Sequence, residues 1–152
     1  MMHRWAARLF VLALCAVTAR PLVGQGSQQS SRDAGTGSEL RQNYPNPFNP
    51  ETRIGFRLGG FPNCIDPARQ FRVTLRIYNV LAQHVATPVL LGGAAGVAGG
   101  QPLENVFLSC GDYTAYWDGK VLNTDREAAS GIYSYRLEID GRPITRKMTI
   151  RK

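Results

Sequence analysis

Residues 42–53 read QNYPNPFNPETR, and we predict that this stretch marks where the folded part of the chain begins. Its three prolines, separated by asparagines, cannot continue a helix or lie within a central strand. Each proline also shifts the residue before it toward extended geometry, so we expect a stiff segment with few backbone hydrogen bonds. We call residues 44–50 the proline arm and predict that it sets how the chain enters the domain. Four residues define it: Pro45, Asn46, Pro47 and Asn49.

Beyond the proline arm, short runs alternate apolar and polar residues, which is the pattern of a strand with one buried face. The clearest runs are Thr52 to Leu58 and Val73 to Tyr78. Asp118-Gly119 and Asp140-Gly141 predict tight turns between later runs. About seven short strands and no convincing amphipathic helix predict an all-β, Ig-like antiparallel sandwich. The remaining candidate strands are residues 85–91, which Pro88 interrupts, 104–108, 112–117, 132–139 and 143–150.

The first 24 residues are predicted to be a signal peptide that is not part of the fold. Two arginines precede an apolar run, residues 9–17, that is too short to span a bilayer. The residues before the cleavage site favour cleavage after Ala19, with a site near Gly24 as an alternative. A buried helix, a short anchor and a lipoprotein modified at Cys15 are the competing interpretations. The chain is therefore predicted to be exported by the Sec route into the periplasm.

A flexible linker, residues 25–41, is predicted between the signal peptide and the domain. Residues 26–38 contain no aliphatic side chain larger than alanine, so they cannot bury enough apolar surface to become ordered. Residues 42–152 have a normal size for one domain with its own core. No second apolar span follows, and no transmembrane segment is predicted in the mature chain.

Basic residues dominate the end of the chain. Cleavage after Ala19 removes two of the eighteen basic residues and none of the eleven acidic ones, so the formal net charge falls from +7 to +5. Residues 141–152 contain five lysines and arginines and no acidic residue. Such a segment suits nucleic acid, an anionic membrane or an acidic partner, and a solvated strand face is the structural alternative. For an exported protein we predict no nucleic-acid partner.

Two cysteines remain after removal of the signal peptide, Cys64 and Cys110. Oxidising compartments favour pairing, so we predict a disulfide between them. A metal site needs more ligands than two thiols, and we interpret the single histidine of the mature chain, His84, as a solvated turn residue.

No catalytic motif stands out in the sequence. Nucleophilic catalysis needs a nucleophile, a base and an orienting group, and the mature chain has one histidine and no nucleophile elbow. The glycine-rich residues 92–100 lack the lysine and hydroxyl of a phosphate-binding loop, which predicts a loop between strands. We therefore predict that the chain is not an enzyme and needs no cofactor.

Several blocks of the chain resemble the C-terminal sorting domains (type A) carried by type IX secretion cargo, and the related Ig-like domain of flagellar hook-capping proteins. They occur in the order of the family and cover nearly all of residues 42–152. Ala82 stands where the family often has glycine, and residues 61–70 and 90–104 resemble insertions. The matching blocks are 44–52 (YPNPFNPET), 73–83 (VTLRIYNVLAQ), 116–120 (YWDGK), 129–137 (ASGIYSYRL) and 145–152 (TRKMTIRK).

The resemblance implies a secretion address that an outer-membrane translocon recognises after export. A sortase-type peptidase would then cut the domain off and leave the cargo on the surface or released from it. The resemblance also implies that recognition rests on the closing segment. For Trp117 we expect packing in the core instead, and core packing is also the structural alternative for Tyr133. The residues of that segment are Gly131, Tyr133, Arg146, Lys147 and Lys152.

Two other functions compete with a sorting domain. One is a free-standing Ig-like structural or adhesive module of the cell envelope, and a weaker one is a small periplasmic enzyme or inhibitor. A sorting domain normally follows a larger enzyme or adhesin, whereas only a linker precedes this domain. The expectation is therefore an orphan or truncated sorting domain, or a sandwich that is itself the product.

Overall fold

The computed structural model describes residues 32–33, 35–92 and 98–152. These residues form ten strands and no helix, arranged in two antiparallel sheets that enclose one apolar core. The predicted signal peptide, its cleavage site at Ala19 and residues 25–31 and 34 of the predicted linker lie outside the described residues. No described segment is a helix of the length and apolarity needed to cross a membrane.

The first sheet has the strand order β1-β2-β3-β8-β6. Strand β3 pairs with β8 along its whole length, from Thr52 opposite Trp117 to Leu58 opposite Gly111. The strands of this sheet are β1 (Arg32–Asp33), β2 (Ser38–Leu40), β3 (Thr52–Leu58), β6 (Val89–Leu90) and β8 (Gly111–Trp117).

The second sheet has the order β10-β9-β4, and the far side of β4 pairs with β7 at one end and with β5 at the other. The closing hairpin turns at Asp140 and Gly141, both of which have positive φ, as a tight two-residue hairpin requires. The strands of this sheet are β4 (Gln70–Tyr78), β5 (His84–Ala86), β7 (Val106–Ser109), β9 (Gly131–Ile139) and β10 (Arg142–Ile150).

The core lies between the two sheets because each long strand buries alternate residues. In β3 the buried side chains are Thr52, Ile54, Phe56 and Leu58, and Phe56 stacks on Tyr113 of β8 with ring centroids 5.6 Å apart. The predicted all-β sandwich is thus confirmed, and the alternation that predicted β3 and β4 is the alternation of burial in the structure.

Residues 85–91 form two strands in different sheets instead of one. Val85 lies in β5 of the second sheet, whereas Val89 and Leu90 lie in β6 of the first, and the chain crosses between the sheets at Thr87 and Pro88. Proline has no N–H for a ladder, so pairing has to stop at Pro88. This division and the two short N-terminal strands account for ten strands where about seven were predicted.

The ordered fold begins before residue 42, so the predicted linker boundary is too late. Strand β2 pairs with β3, with Leu40 opposite Phe56, and the Leu40 side chain is fully buried. The Oγ of Ser38 accepts a hydrogen bond from the N–H of Gly59 at 3.2 Å. Burial of the single side chain of Leu40 adds β2 to the core, although the residues before Leu40 are small and polar.

Cys64 and Cys110 form the predicted disulfide, which links residues 46 positions apart in the chain. It ties the loop after β3 to the junction of β7 and β8. His84 is not in a turn as predicted. It is the first residue of β5, and its ring lies 5.8 Å from the ring of Tyr78.

Candidate functional site

The proline arm lies along the outer edge of β10, the last strand. Phe48 donates its N–H to the carbonyl of Thr149, and its own carbonyl accepts the N–H of Arg151, both at 3.1 Å. The Oδ1 of Asn46 accepts the N–H of Thr149 at 2.9 Å. The start and the end of the 42–152 unit are therefore joined by backbone pairing, and the arm covers part of an edge that would otherwise be open.

A buried polar cluster holds the segment before the arm. The side-chain Nδ2 of Asn43 donates to the carbonyl of Pro45 and to the hydroxyl of Thr52, both at 3.0 Å. The Thr52 hydroxyl donates in turn to the same carbonyl of Pro45, also at 3.0 Å. The hydroxyl of Tyr135 accepts the N–H of Asn43 at 3.0 Å and donates to the carbonyl of Arg41 at 2.8 Å. Burial is the main cause that raises the pKa of Tyr135 to about 12, so the hydroxyl stays protonated and keeps donating.

The Trp-Asp-Gly block packs on the arm from the other side. Trp117 is buried, as predicted, and its ring lies 5.6 Å from Phe48 and 5.9 Å from Tyr133. Asp118 accepts the N–H of Lys120 at 3.0 Å, and Gly119 has a φ of 80°. A Cβ at Gly119 would overlap the carbonyl oxygen of Pro50. The arm and the turn therefore fit each other only when residue 119 is glycine.

The five predicted recognition residues are not all brought together on one surface, although Tyr133 and Lys147 both border one groove of the second sheet. Tyr133 faces the core side, and its hydroxyl donates to the carbonyl of Ala129. Arg146 donates from Nε to the carbonyl of Leu40 at 2.8 Å, which fastens β10 to β2. Lys152 pairs with Glu127 at 2.9 Å, and Gly131 is exposed at the start of β9. Lys147 alone among these five places its side chain on the outer face of the second sheet.

Alternation along β9 and β10 explains this separation. Tyr133 is opposite Met148, and this pair faces the core. The next pair, Ser134 opposite Lys147, faces outward. Neighbouring residues in a strand point to opposite faces, so the consecutive residues Arg146 and Lys147 present their side chains on different faces of the sheet.

The outer face of the second sheet carries a groove of about 550 Å³. Ser134 lies in the middle of it, between Tyr78 of β4 and Lys147 of β10. Because serine is small and its neighbours in the row are long, the surface is depressed at this point. We call this depression the sheet groove. Its principal lining residues are Tyr78, Ile132, Ser134, Arg136, Thr145 and Lys147.

The sheet groove combines positive charge with exposed apolar surface. The guanidinium of Arg136 lies over the ring of Tyr78, 4.8 Å from the centroid, which fixes its position. None of the described residues that line the groove is an aspartate or glutamate. Ile132 is 56% exposed and Val80, at the rim, is 78% exposed. Such a surface suits a ligand with both negative and apolar groups.

Sequence reasoning missed Tyr78, Ser134 and Arg136 as groove residues. The three lie on two strands, and only the register of β4, β9 and β10 places them beside Lys147. One local signal was present, because Val80 and Leu81 are large apolar residues, and the structure places them in the turn between β4 and β5. The turn itself is held by Asn79, whose Oδ1 accepts the N–H groups of Leu81 and Gln83, both at 3.0 Å.

Comparison with known proteins gives structural similarity and no family. No family model matches the chain. No curated protein matches it either. Among solved structures, the fold is similar to part of the Pseudomonas fluorescens alkylpurine DNA glycosylase AlkC bound to DNA containing an abasic site analog. The match has a TM-score of 0.46 and 12% identity, and it covers 77% of this chain and 31% of the glycosylase.

This neighbour is an enzyme, whereas the sequence predicted that the chain is not one, and we withdraw that prediction. Its physical basis was weak because it relied on motifs of neighbouring residues. A fold can bring catalytic groups together from distant positions, so the absence of a linear motif does not exclude activity. The similarity is too low to assign the activity of the glycosylase, or DNA binding, to this chain.

Proposed function

We propose that this domain is a sorting domain that directs an exported protein through an outer-membrane translocon of the type IX kind to the cell surface. The supporting observation is that the first motif, the proline arm, is fastened to the last strand through Phe48, Thr149 and Arg151. A domain closed in this way keeps its shape whatever precedes it in the chain. That property is what an address needs when it is read on different cargoes.

The surface offered to the translocon would be the outer face of the closing hairpin. Lys147 and Arg136 give this face positive charge, and the sheet groove gives it shape. Charge of one sign steers the encounter with an oppositely charged partner and selects its orientation. Arg146 would contribute indirectly, because its hydrogen bond to Leu40 holds the hairpin in place. On this proposal a sortase-type peptidase acts after transport, on the chain before the domain.

The test is a reporter exported by Sec and fused before residues 25–152, in a host that has a type IX translocon. We expect the reporter on the cell surface, measured by protease accessibility in intact cells. A reporter that stays in the periplasm would overturn the proposal and leave the structural or adhesive module as the better function.

Two variants make this test specific. Lys147→Gln removes a cation from the sheet groove, and we expect less reporter at the surface. Arg53→Gln removes an exposed cation from the other sheet and is the matched control for net charge. Equal loss with both variants would show that general charge, and not the closing hairpin, matters.

A further inference from the structure

We infer that the sheet groove binds an acidic peptide segment in which two carboxylates at alternate positions are followed, two residues later, by an aliphatic side chain. The inference rests on the proposed function for the source of the segment, an acidic stretch of the export apparatus. The binding chemistry itself follows from the groove residues alone.

The two cations of the groove set the charge of the ligand. Lys147 is directly opposite Ser134, and Arg136 follows two positions later on β9, so the two cations are diagonal neighbours on adjacent strands. Neither forms an ion pair with any residue that the structure describes. Two like charges without counterions at this separation favour an anion between or above them.

The spacing of the cations sets the spacing of the carboxylates. Diagonal residues on paired strands have Cα atoms roughly 7–8 Å apart. In an extended peptide, every second side chain points to the same side, and side chains i and i+2 are about 7 Å apart. Carboxylates at positions i and i+2 of such a peptide therefore reach Arg136 and Lys147 together.

Arg136 is positioned in advance for this contact. Its guanidinium is held over the Tyr78 ring, so it loses little conformational freedom when it binds a carboxylate. A planar guanidinium also matches the two oxygens of a carboxylate. Ser134 and Thr145, at the floor and side of the groove, provide hydroxyl donors nearby.

The apolar end of the groove sets the third feature of the ligand. Ile132 and Val80 are exposed and lie at the groove with no described residue covering them. An aliphatic side chain two residues beyond the carboxylates would remove this surface from water, which favours binding. A volume of about 550 Å³ holds a few side chains and lies within the usual range for ligand sites.

The experiment measures binding of a fluorescein-labelled peptide, Gly-Glu-Ser-Glu-Ser-Leu-Gly, to the purified full chain by fluorescence anisotropy. We expect saturable binding that weakens as salt is added. A peptide with glutamine in place of both glutamates should bind with an affinity at least about tenfold lower. A peptide with serine in place of leucine should also lose affinity. Equal binding of the glutamine peptide would overturn the inference.

Variants of the chain locate the site. We expect Arg136→Gln and Lys147→Gln each to weaken binding about tenfold, and Arg53→Gln to change it less than twofold. Ser134→Tyr keeps the charge and fills the groove, so it should abolish binding. Unchanged thermal unfolding of the glutamine variants would show that the fold is intact. Equal weakening by Arg53→Gln, or full binding by Ser134→Tyr, would refute the site.

The outcomes of this experiment and of the reporter experiment are independent. The peptide is measured on purified protein and needs no secretion. Surface delivery of the reporter without peptide binding would leave the sorting proposal standing and refute the ligand. Peptide binding without surface delivery of the reporter would support the ligand and refute the sorting proposal.

Discussion

At the scale of single residues, Tyr135 fastens the segment before the proline arm to the sandwich. Its side chain is fully buried, and its hydroxyl both donates to Arg41 and accepts from Asn43. A buried hydroxyl with two partners is stabilising only while it can donate, and it donates only when protonated. Burial raises its pKa to about 12, from the ordinary tyrosine value of 10.0.

This pKa predicts a loss of stability in alkali. Between about pH 10 and about pH 12 the unfolded tyrosine releases its proton while the folded one keeps it, so the free energy of unfolding falls as the pH rises. The contribution is complete below pH 10. Urea unfolding at a series of pH values measures it. Tyr135→Phe should cost about 1–3 kcal/mol at neutral pH, because Asn43 and Arg41 lose their partner.

The tyrosine variants also provide the control for the alkaline prediction. Between pH 10 and 12, Tyr135→Phe should lose stability less steeply than the unchanged chain. Tyr116→Phe removes a hydroxyl bonded to Glu51 at the surface and should retain most of the steep loss. The prediction is wrong if the Tyr135→Phe curve is as steep as the original.

Gly119 gives a second prediction at this scale. Gly119→Ala should destabilise the domain by more than Gly141→Ala, although the two glycines have nearly the same φ, 80° and 82°. Positive φ costs an alanine about 1–2 kcal/mol at either site. A Cβ at residue 119 also overlaps Pro50, whereas a Cβ at residue 141 meets nothing within 4 Å. Thermal unfolding of both variants measures the loss of stability in each, and the difference between them is the cost of the overlap with Pro50. Equal losses of stability would contradict the prediction.

Among the elements, the proline arm and β10 behave as a pair. Each edge strand needs partners for its outward N–H and C=O groups, and the arm supplies them at Thr149 and Arg151. The sequence predicted a stiff arm and a last strand separately, from proline spacing and from alternation. Their contact was not predictable, because it joins residues about one hundred positions apart.

Asn46 and Asn49 test this pairing with the same substitution. Asn46→Ala removes the acceptor for the Thr149 N–H and should cost about 1 kcal/mol. Asn49→Ala removes an exposed side chain of the same arm and should cost less. Hydrogen exchange at Thr149 should quicken in the first variant and not in the second. Equal exchange in both would show that the Asn46 side chain does not hold β10.

At the scale of the whole molecule, the Cys64–Cys110 disulfide restricts the unfolded chain. It closes a loop over 46 positions that includes β4, β5, β6 and β7. In the chain-entropy model a loop of this length gives about 4 kcal/mol of stabilisation. A domain of this size has a total stability of about 5–15 kcal/mol, so the contribution is a large part of the whole.

The expected result of replacing both cysteines with serine is a loss of up to about 4 kcal/mol in the free energy of unfolding. Urea unfolding of the double variant and of the oxidised chain measures this difference. Labelling of the unreduced chain with a thiol reagent should modify neither Cys64 nor Cys110. Reaction of both cysteines without reductant would show that the bridge is absent.

What the sequence determined is local: the alternation of β3, β4 and β8, the turns at Asp118-Gly119 and Asp140-Gly141, and the arm. Each rests on the chemistry of neighbouring residues, so a linear pattern is enough to predict it. Tertiary structure alone decided that Pro88 divides two sheets, that Leu40 joins the core, and that Arg146 and Lys147 serve different faces. It also created the sheet groove. These features depend on strand register, which brings distant residues together and which no single stretch of sequence contains.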